Sequence, residues 1–485
     1  RAVVAGATVT APATLRACQT RLPGDAVLHL PARSRMEHKP QIGESFRIDI
    51  PAAHRPLFSP QPGVRDTGFA VDIGTTTVVV MLVDLVTGAI LSKSGAFNGQ
   101  IRFGDNVLTR IEAASTPAGL AGLRKAVVED TLAPLLASAC EKAGIAPSRI
   151  AGGTLAGNTT MLHLLLGEDP SSMGVSPFTP RFIRGRRETC GGIGLAGVAP
   201  ETPAHLLPGI AAYIGADIVA GVYATGMAYL QKPSLFIDIG TNGEILLQNN
   251  GDLFGCATAA GPAFEGCGLA CGTRAREGAV EDIRIRLDPF ALEVGVIGGV
   301  PPAEAGGVCG SAYVDFIAQG RRCGLIEANG RFSDAAWERI PAEHRVLRAG
   351  VRAVRVAGRE GPGAVVVSEV DVAVLLQAKA AIGAGIEMLL RAADIHVQDL
   401  GRVYLAGGFG MHLDVAHTIA MGLLPGCAVE QVEVVGNTSL AGAVLALIDR
   451  SSLDEMESLR SQVEVIELNL QPGFEDCYID HLSLS

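Results

Sequence analysis

The chain has 485 residues, more than one hydrophobic core usually supports, so two or more domains are expected. Hydrophobic residues make up 48% and charged residues 18%, the balance of a globular protein with a large interior. With 39 basic against 50 acidic side chains the net charge is −11, and no dense Lys/Arg run interrupts it, which argues against nucleic acid as a partner.

No apolar run reaches the roughly 18 residues of a membrane span, and the first residues lack the charged-then-apolar order of a secretory signal. The expectation is a cytoplasmic protein without a membrane partner. Its ten cysteines are scattered, unlike a disulfide scaffold, and most should be small buried hydrophobes. A metal site from Cys256, Cys267, Cys271 and Cys309 is the lesser reading, because the Cys267/Cys271 spacing is not that of a zinc knuckle. The cluster Arg181, Arg184, Arg186, Arg187 reads as a solvated loop ahead of a docking patch.

Residues 1–35 read as short strands, too few to fold alone. Residues 36–67 hold Pro40, Pro51, Pro56, Pro60 and Pro62 and read as an extended linker. A compact region follows. Strand Phe69–Ile73 leads through Gly74, Thr75, Thr76 and Thr77 into strand Val78–Leu85 and a third strand at Ala89–Ser92. The same order returns later: a strand over 235–239, Gly240, Thr241, Asn242 and Gly243, then strands Glu244–Gln248 and Asp252–Cys256, joined by Asn249-Asn250-Gly251. Each copy is a buried strand with an aspartate one residue from its end, Asp72 or Asp238, before a Gly-centred turn with hydroxyls.

Two such copies facing each other make a clamp whose turn N–H groups hold polyphosphate, while Asp72 and Asp238 orient a hydrated Mg²⁺ through water. Glu244 is a candidate to position the attacking water; its alternative is a strand-edge surface carboxylate. A second echo supports duplication. Strand Arg149–Leu155 precedes Gly157-Asn158-Thr159-Thr160 and helix Met161–Leu166, and strand Val432–Val435 precedes Gly436-Asn437-Thr438-Ser439 and helix Leu440–Ile448. Asn or Thr caps each helix. Asp217 reads first as another N-cap and second as a phosphate or metal ligand, and His163 as a satisfied core histidine.

The longest helical periodicity covers Asp371–Ala392. It leads to strand 403–405, which ends in Gly407, Gly408, Phe409 and Gly410, where backbone approaches a flat adenine or ribose closely. The fold class is α/β: duplicated actin-like (ribonuclease H-like) halves with a cleft between them. The halves span 68–230 and 231–430, and 431–485 is a strand and helix returning to the first half.

Paired Asp-Ile-Gly-Thr turns and a late Leu-Ala-Gly-Gly turn resemble the acetate and sugar kinase/Hsp70/actin superfamily. The stretches Gly157–Gly167, Tyr213–Asp217, Ala259–Gly266, Gly307–Ser311 and Gln377–Ile382 are more specific, and resemble the ATP-dependent reductive activators of corrinoid proteins from about Gly68 onward. The resemblance implies an ATPase that restores Co(I) from Co(II) in a corrinoid methyl-transfer protein, an upstream electron donor, and commonly a homodimer. It also implies an N-terminal [2Fe–2S] ferredoxin-like domain. Leu15-Arg16-Ala17-Cys18-Gln19-Thr20 is similar to that domain's last segment, making Cys18 a fourth ligand, but no C-x₄-C-x₂-C run precedes it. Residues 1–35 are therefore expected to be a remnant, either of a truncated form or of a protein that has lost its cluster, with [2Fe–2S] held through Cys18 only where the upstream module is present. A small middle domain ahead of the first turn is expected to be absent or reduced. Two other ATP-dependent activities stay open: a small-molecule kinase of the same superfamily, and an activator of a 2-hydroxyacyl-CoA dehydratase.

Overall fold

A computed structural model describes residues 2–4, 7–9, 20–21, 55–408 and 413–484. The chain divides into two compact units, Arg1–His38 and Lys39–Ser485. In the first, strands β1 (Ala2–Val4), β2 (Ala7–Val9) and β3 (Thr20–Arg21) form an antiparallel sheet in the order β2-β1-β3.

The second unit opens with β4 (Thr67–Ile73), β5 (Thr77–Asp84) and β6 (Ile90–Phe97), an antiparallel meander. Helix α1 (Val107–Ala113), strand β7 (Ile150–Gly157), helix α2 (Thr159–Leu166), β8 (Arg186–Thr189), β9 (Pro203–Leu206) and helix α3 (Ala216–Thr225) complete a six-stranded sheet of order β6-β5-β4-β7-β9-β8. Strand β7 is buried at every position, and β4 at every position but Asp72, the mark of strands covered on both faces.

The plan repeats with β10 (Ser234–Ile239), β11 (Gly243–Asn249) and β12 (Asp252–Thr258). Two small sheets follow, β13 (Ala279–Leu287), β14 (Phe290–Val296) and β15 (Gly307–Val308), then β16 (Arg345–Arg348), β17 (Val351–Gly358) and β18 (Ala364–Ser368). Helices α4 (Gly310–Arg322) and α5 (Glu369–Ala392) pack against them. After β19 (Arg402–Ala406) come helix α6 (Val415–Ala420), β20 (Val432–Gly436), helix α7 (Thr438–Ile448), β21 (Val463–Val465) and helix α8 (Phe474–Asp480). The second large sheet has the order β20-β19-β10-β11-β12-β21.

One expectation changes here. Strand β20 does not return to the first half: it pairs in parallel with β19 in the second sheet. Helix α7 does cross over, where Thr154 of β7 donates through Oγ1 to the Ala443 carbonyl at 2.7 Å. So does the following helix, Ser451–Gln462, whose Glu457 accepts from Gly185 N–H at 2.6 Å and whose Arg460 Nε donates to the Gly209 carbonyl at 2.7 Å. Gly442 lies so close to α3 that a Cβ would stand 2.3 Å from the Ala220 carbonyl oxygen. Strand β20 is buried only at Gly436, whereas α7 is buried at ten of its eleven positions and must find a second apolar face.

Helix α5 starts at a capping box, with Ser368 and Asp371 bonding each other's backbone N–H. By length and composition it is apolar enough to cross a membrane, but 78% of its most apolar window is buried in the protein, as in a core helix. Its polar residues clasp the C-terminal segment: Lys379 Nζ donates to the Ser483 carbonyl at 2.7 Å, and His481 Nε2 lies 3.0 Å from Glu387. Gly383 makes room for that imidazole, since a Cβ there would meet His481 Nδ1 at 2.8 Å. Arg181, ahead of β8, and Arg186, in it, pair with Glu168, Asp169 and Glu188.

Candidate functional site

The two echoed turns meet at one cavity of about 150 Å³. Gly74 to Thr77 and Gly240 to Asn242 line it, with Asp72, Asp238, Glu244, Gly407 and Gly408. Each turn closes locally: Gly74 N–H donates to the Thr77 carbonyl at 2.9 Å, and Gly240 N–H to the Asn242 carbonyl at 3.0 Å. Gly243 begins β11 and is buried; it is not among the lining residues. Gly407 has φ 93, and a Cβ there would stand 2.6 Å from Asp238 Oδ1, so this position excludes a side chain. Gly408 faces open space. Cys18, Phe409 and Gly410 lie outside the described residues.

The structure decides between the alternative readings of two residues and adds others to the site. Asp217 is not a helix cap: Gly215 holds that position, and the Asp217 carboxylate lines the cavity with Asp72 and Asp238. Glu244 is not at a strand edge, because β11 runs between β10 and β12 and the side chain is 7% exposed. Glu265, Asn158, Asn437 and Ser439 also line the cavity. The echoed Gly-Asn-Thr turns were the available signal for two of these, and they were read only as caps.

Both asparagines do cap, accepting through Oδ1 from Met161 N–H and Leu440 N–H. Their amide nitrogens then diverge. Asn158 Nδ2 donates to Thr75 Oγ1 at 2.9 Å within its own half, whereas Asn437 Nδ2 reaches Asp72 Oδ2 in the other half at 2.8 Å. Ser439 donates to the second oxygen of Asp72, also at 2.8 Å. Duplication has left the two halves unequal at their centre.

Burial raises the Asp72 carboxyl above its ordinary value, although these two donors oppose the shift. Burial, then the negative charges of Asp238 and Asp72, pushes Asp217 to about 8. Asp238 rises to about 7 through burial and the charges of Asp72 and Glu265. Glu244 is raised well above its usual range by burial, then by Asp217 and Asp238. Four carboxylates thus line one cavity, three of them raised in part by a neighbour's negative charge, an arrangement that a hard divalent cation stabilises.

Behind the first turn lies Arg110, fully buried on α1. It donates to the Thr75 carbonyl at 2.6 Å, the Gly104 carbonyl at 3.0 Å and Gln100 Oε1 at 3.1 Å. Burial and the nearby Arg274 charge pull its pKa to about 10. His163 is satisfied on both ring nitrogens: Nδ1 lies 2.7 Å from the Thr159 carbonyl and Nε2 accepts from Arg181 N–H at 3.1 Å. Among the described residues, Cys256, Cys267, Cys271 and Cys309 do not gather as metal ligands.

A duplicated α/β core with two acidic phosphate turns facing one cavity defines a nucleotide-cleft protein of the acetate and sugar kinase/Hsp70/actin type. The chain belongs to the RACo family of reductive activators: the model described as the C-terminal, ASKHA domain of RACo matches residues 232–485, and that of the RACo middle region matches 67–229. The region matched as the middle region begins at strand β4 and contains the first turn. The chain is 33% identical over 85% of its length to the corrinoid activation enzyme RamQ of Eubacterium limosum, covering 69% of that protein. It is 25% identical over 86% of its length to a Co(II) methylated amine-specific corrinoid protein reductase of Methanosarcina barkeri, covering 76% of it. Among solved structures it matches a reductive activator for corrinoid, iron-sulfur protein with a TM-score of 0.78 and 35% identity, covering 88% of this chain and 67% of that one.

Proposed function

We propose that this chain is the ATP-driven core of a reductive activator that returns the cobalt of a corrinoid protein from Co(II) to Co(I). The observation that carries the reading is the meeting of two Asp-Ile-Gly-Thr turns and four carboxylates in one cavity, in a chain 33% identical to a corrinoid activation enzyme.

In this reading the backbone N–H groups and hydroxyls of Thr75, Thr76, Thr77, Thr241 and Asn242 hold phosphate oxygens. Gly407 and Gly408 let the adenosine approach the backbone, and Asp72 and Asp238 hold Mg²⁺ through water. The all-oxygen donor set and the mutual repulsion of these carboxylates fit that ion, which when bound supplies neutralising charge to the polyphosphate. Asn437 and Ser439 fix both oxygens of Asp72, so its carboxylate cannot rotate. Glu244, which Asn242 contacts, positions the hydrolytic water.

Nucleotide acts on the partner only through unequal affinity for open and closed arrangements of the cleft, because equal affinity shifts no population. Closure about Asp72 and Asp238 is the bistable element we assign. A plant-type [2Fe–2S] cluster needs four thiolates, and we assign it to a form that carries the whole ferredoxin-like domain, with Cys18 as one ligand. The described thiols are free, and burial pushes several up, Cys190 and Cys309 to about 12. No electron-transfer step is therefore assigned to them.

We place the protein in the cytoplasm, a compartment its free thiols suit, and as a homodimer served by a separate electron donor. The test is to titrate ATP hydrolysis and Co(II) reduction against candidate corrinoid proteins, with a low-potential reductant supplied. Phosphate release that rises with the corrinoid partner supports the reading. A phosphorylated metabolite in its place would end it.

A further inference from the structure

Glu265 stands where the two phosphate turns meet. Its Oε2 accepts from Thr76 Oγ1 at 2.7 Å and its Oε1 from Thr241 Oγ1 at 3.0 Å, so one carboxylate ties the hydroxyls of both turns across the cleft. It ends a single helical turn, Pro262–Glu265, set between Gly261 at φ 70 and Gly266 at φ 78. A Cβ on Gly266 would meet the Thr273 backbone at 2.5 Å, so the loop closes back on the segment that carries Arg274.

Arg274 is the nearest cation. Its Nε is 3.9 Å from Glu265 Oε2, too far for a hydrogen bond, and is buried with no acceptor. The guanidinium lies over the Phe97 ring at 5.4 Å, which holds its plane. A buried donor without an acceptor is costly, and a guanidinium matches phosphate oxygens in geometry and charge.

Each threonine hydroxyl has one proton to donate, and both are committed to Glu265. A phosphoryl group seated between the turns needs the same two protons, and its negative charge repels the carboxylate at this range. We propose that Thr76, Thr241 and Arg274 form a subsite for the terminal phosphate of a nucleoside triphosphate, for which Glu265 competes as an internal anion. This rests on the nucleotide reading of the cleft and adds to it a specificity device. A triphosphate displaces Glu265 and gains Arg274, while a diphosphate leaves the carboxylate in place. The exchange costs no covalent chemistry and marks which nucleotide is bound.

The experiment compares the dissociation constants of ATP and ADP, with Mg²⁺ present, for the whole chain and for Glu265→Gln, Arg274→Ala and Arg274→Lys, with thermal melts to establish folding. Losing a charged competitor should tighten ATP about tenfold and leave ADP within about twofold. Arg274→Ala should weaken ATP about tenfold with ADP unchanged, and Arg274→Lys should restore part of the loss, because charge survives without the planar fork. Equal effects on both nucleotides, or weaker ATP binding by Glu265→Gln, would overturn the subsite. If the unaltered chain binds neither nucleotide, the nucleotide reading itself falls; if it binds both and no variant changes their ratio, only this inference does.

Discussion

Asn437 holds Asp72 from the opposite half of the molecule, its Nδ2 donating to Oδ2 at 2.8 Å while its Oδ1 caps helix α7. One side chain thus couples the start of a helix in the second half to the acidic residue of the first turn. Any movement of α7 relative to β4 is felt at that carboxylate.

The two jobs of Asn437 are separable by substitution. Asp is as good a cap as Asn, so Asn437→Asp keeps the cap, which Asn437→Ala loses at about 1 kcal/mol, and any stability the aspartate variant loses comes from the Asp72 side. Both remove the donor to Asp72, and the aspartate adds a like charge beside it. ATP hydrolysis should fall about tenfold or more in each, since a hydrogen bond to a charged group contributes roughly 1.5–3 kcal/mol. Steady-state phosphate release beside thermal melts checks this. A normal rate in the aspartate variant would remove Asp72 from the mechanism.

Glu244→Gln should slow hydrolysis by about a hundredfold while nucleotide affinity stays within a few-fold, the result expected when a group acts on the water and not on the nucleotide. Single-turnover hydrolysis and equilibrium binding, measured on the same preparation, separate the two. Equal losses in both would assign Glu244 to binding.

Gly442 lets α7 lie against α3. Gly442→Ala gains about 1 kcal/mol of helix propensity but pushes a methyl into the Ala220 carbonyl, and overpacking costs roughly 1–3 kcal/mol. The expected result is a net loss of stability in urea unfolding, with slower ATP hydrolysis because Asn437 and Ser439 move with their helix. A stabilised variant with normal turnover would show that the α3–α7 spacing is not transmitted to Asp72.

Much of this architecture was legible because it is written locally. Each phosphate turn is a short run in which strand, aspartate, glycine and hydroxyl follow in order, and the strands begin and end close to where alternation and turn residues place them. What the sequence hid depends on distance along the chain. Asn437 and Asp72 are 365 positions apart, and no local pattern says that a cap's second nitrogen will find a carboxylate in the other half. Asp217 misled for the opposite reason: it lies at a helix start, so a local role sufficed until folding brought Asp72 and Asp238 beside it. Glu265 occurs in a short motif without charge partners in sequence, and its meaning comes from Thr76, 189 residues earlier.

Away from the cleft, His417 of α6 is bonded to Asp315 of α4, Nδ1 to Oδ1 at 2.7 Å. The bond to Asp315 raises the His417 pKa above its usual 6.5, with the charges of Asp315 and Asp414 adding and burial and Arg322 opposing. Burial raises Asp315 as well, outweighing the same bond, while Asp282 adds and the Ile283 N–H opposes. For a histidine held above its unfolded value, the stability it contributes is complete below about pH 6.5 and is lost as pH rises through the folded value. A carboxyl raised by burial has the same sign, but its window opens near pH 3.8, so from pH 6 upward the slope is read as that of His417. Urea unfolding from pH 6 upward should therefore show stability falling through the His417 titration, and His417→Gln should flatten that slope while lowering stability at pH 6. An unchanged slope in the variant would mean that other groups set the pH dependence and that this pair does not fasten α6 to α4.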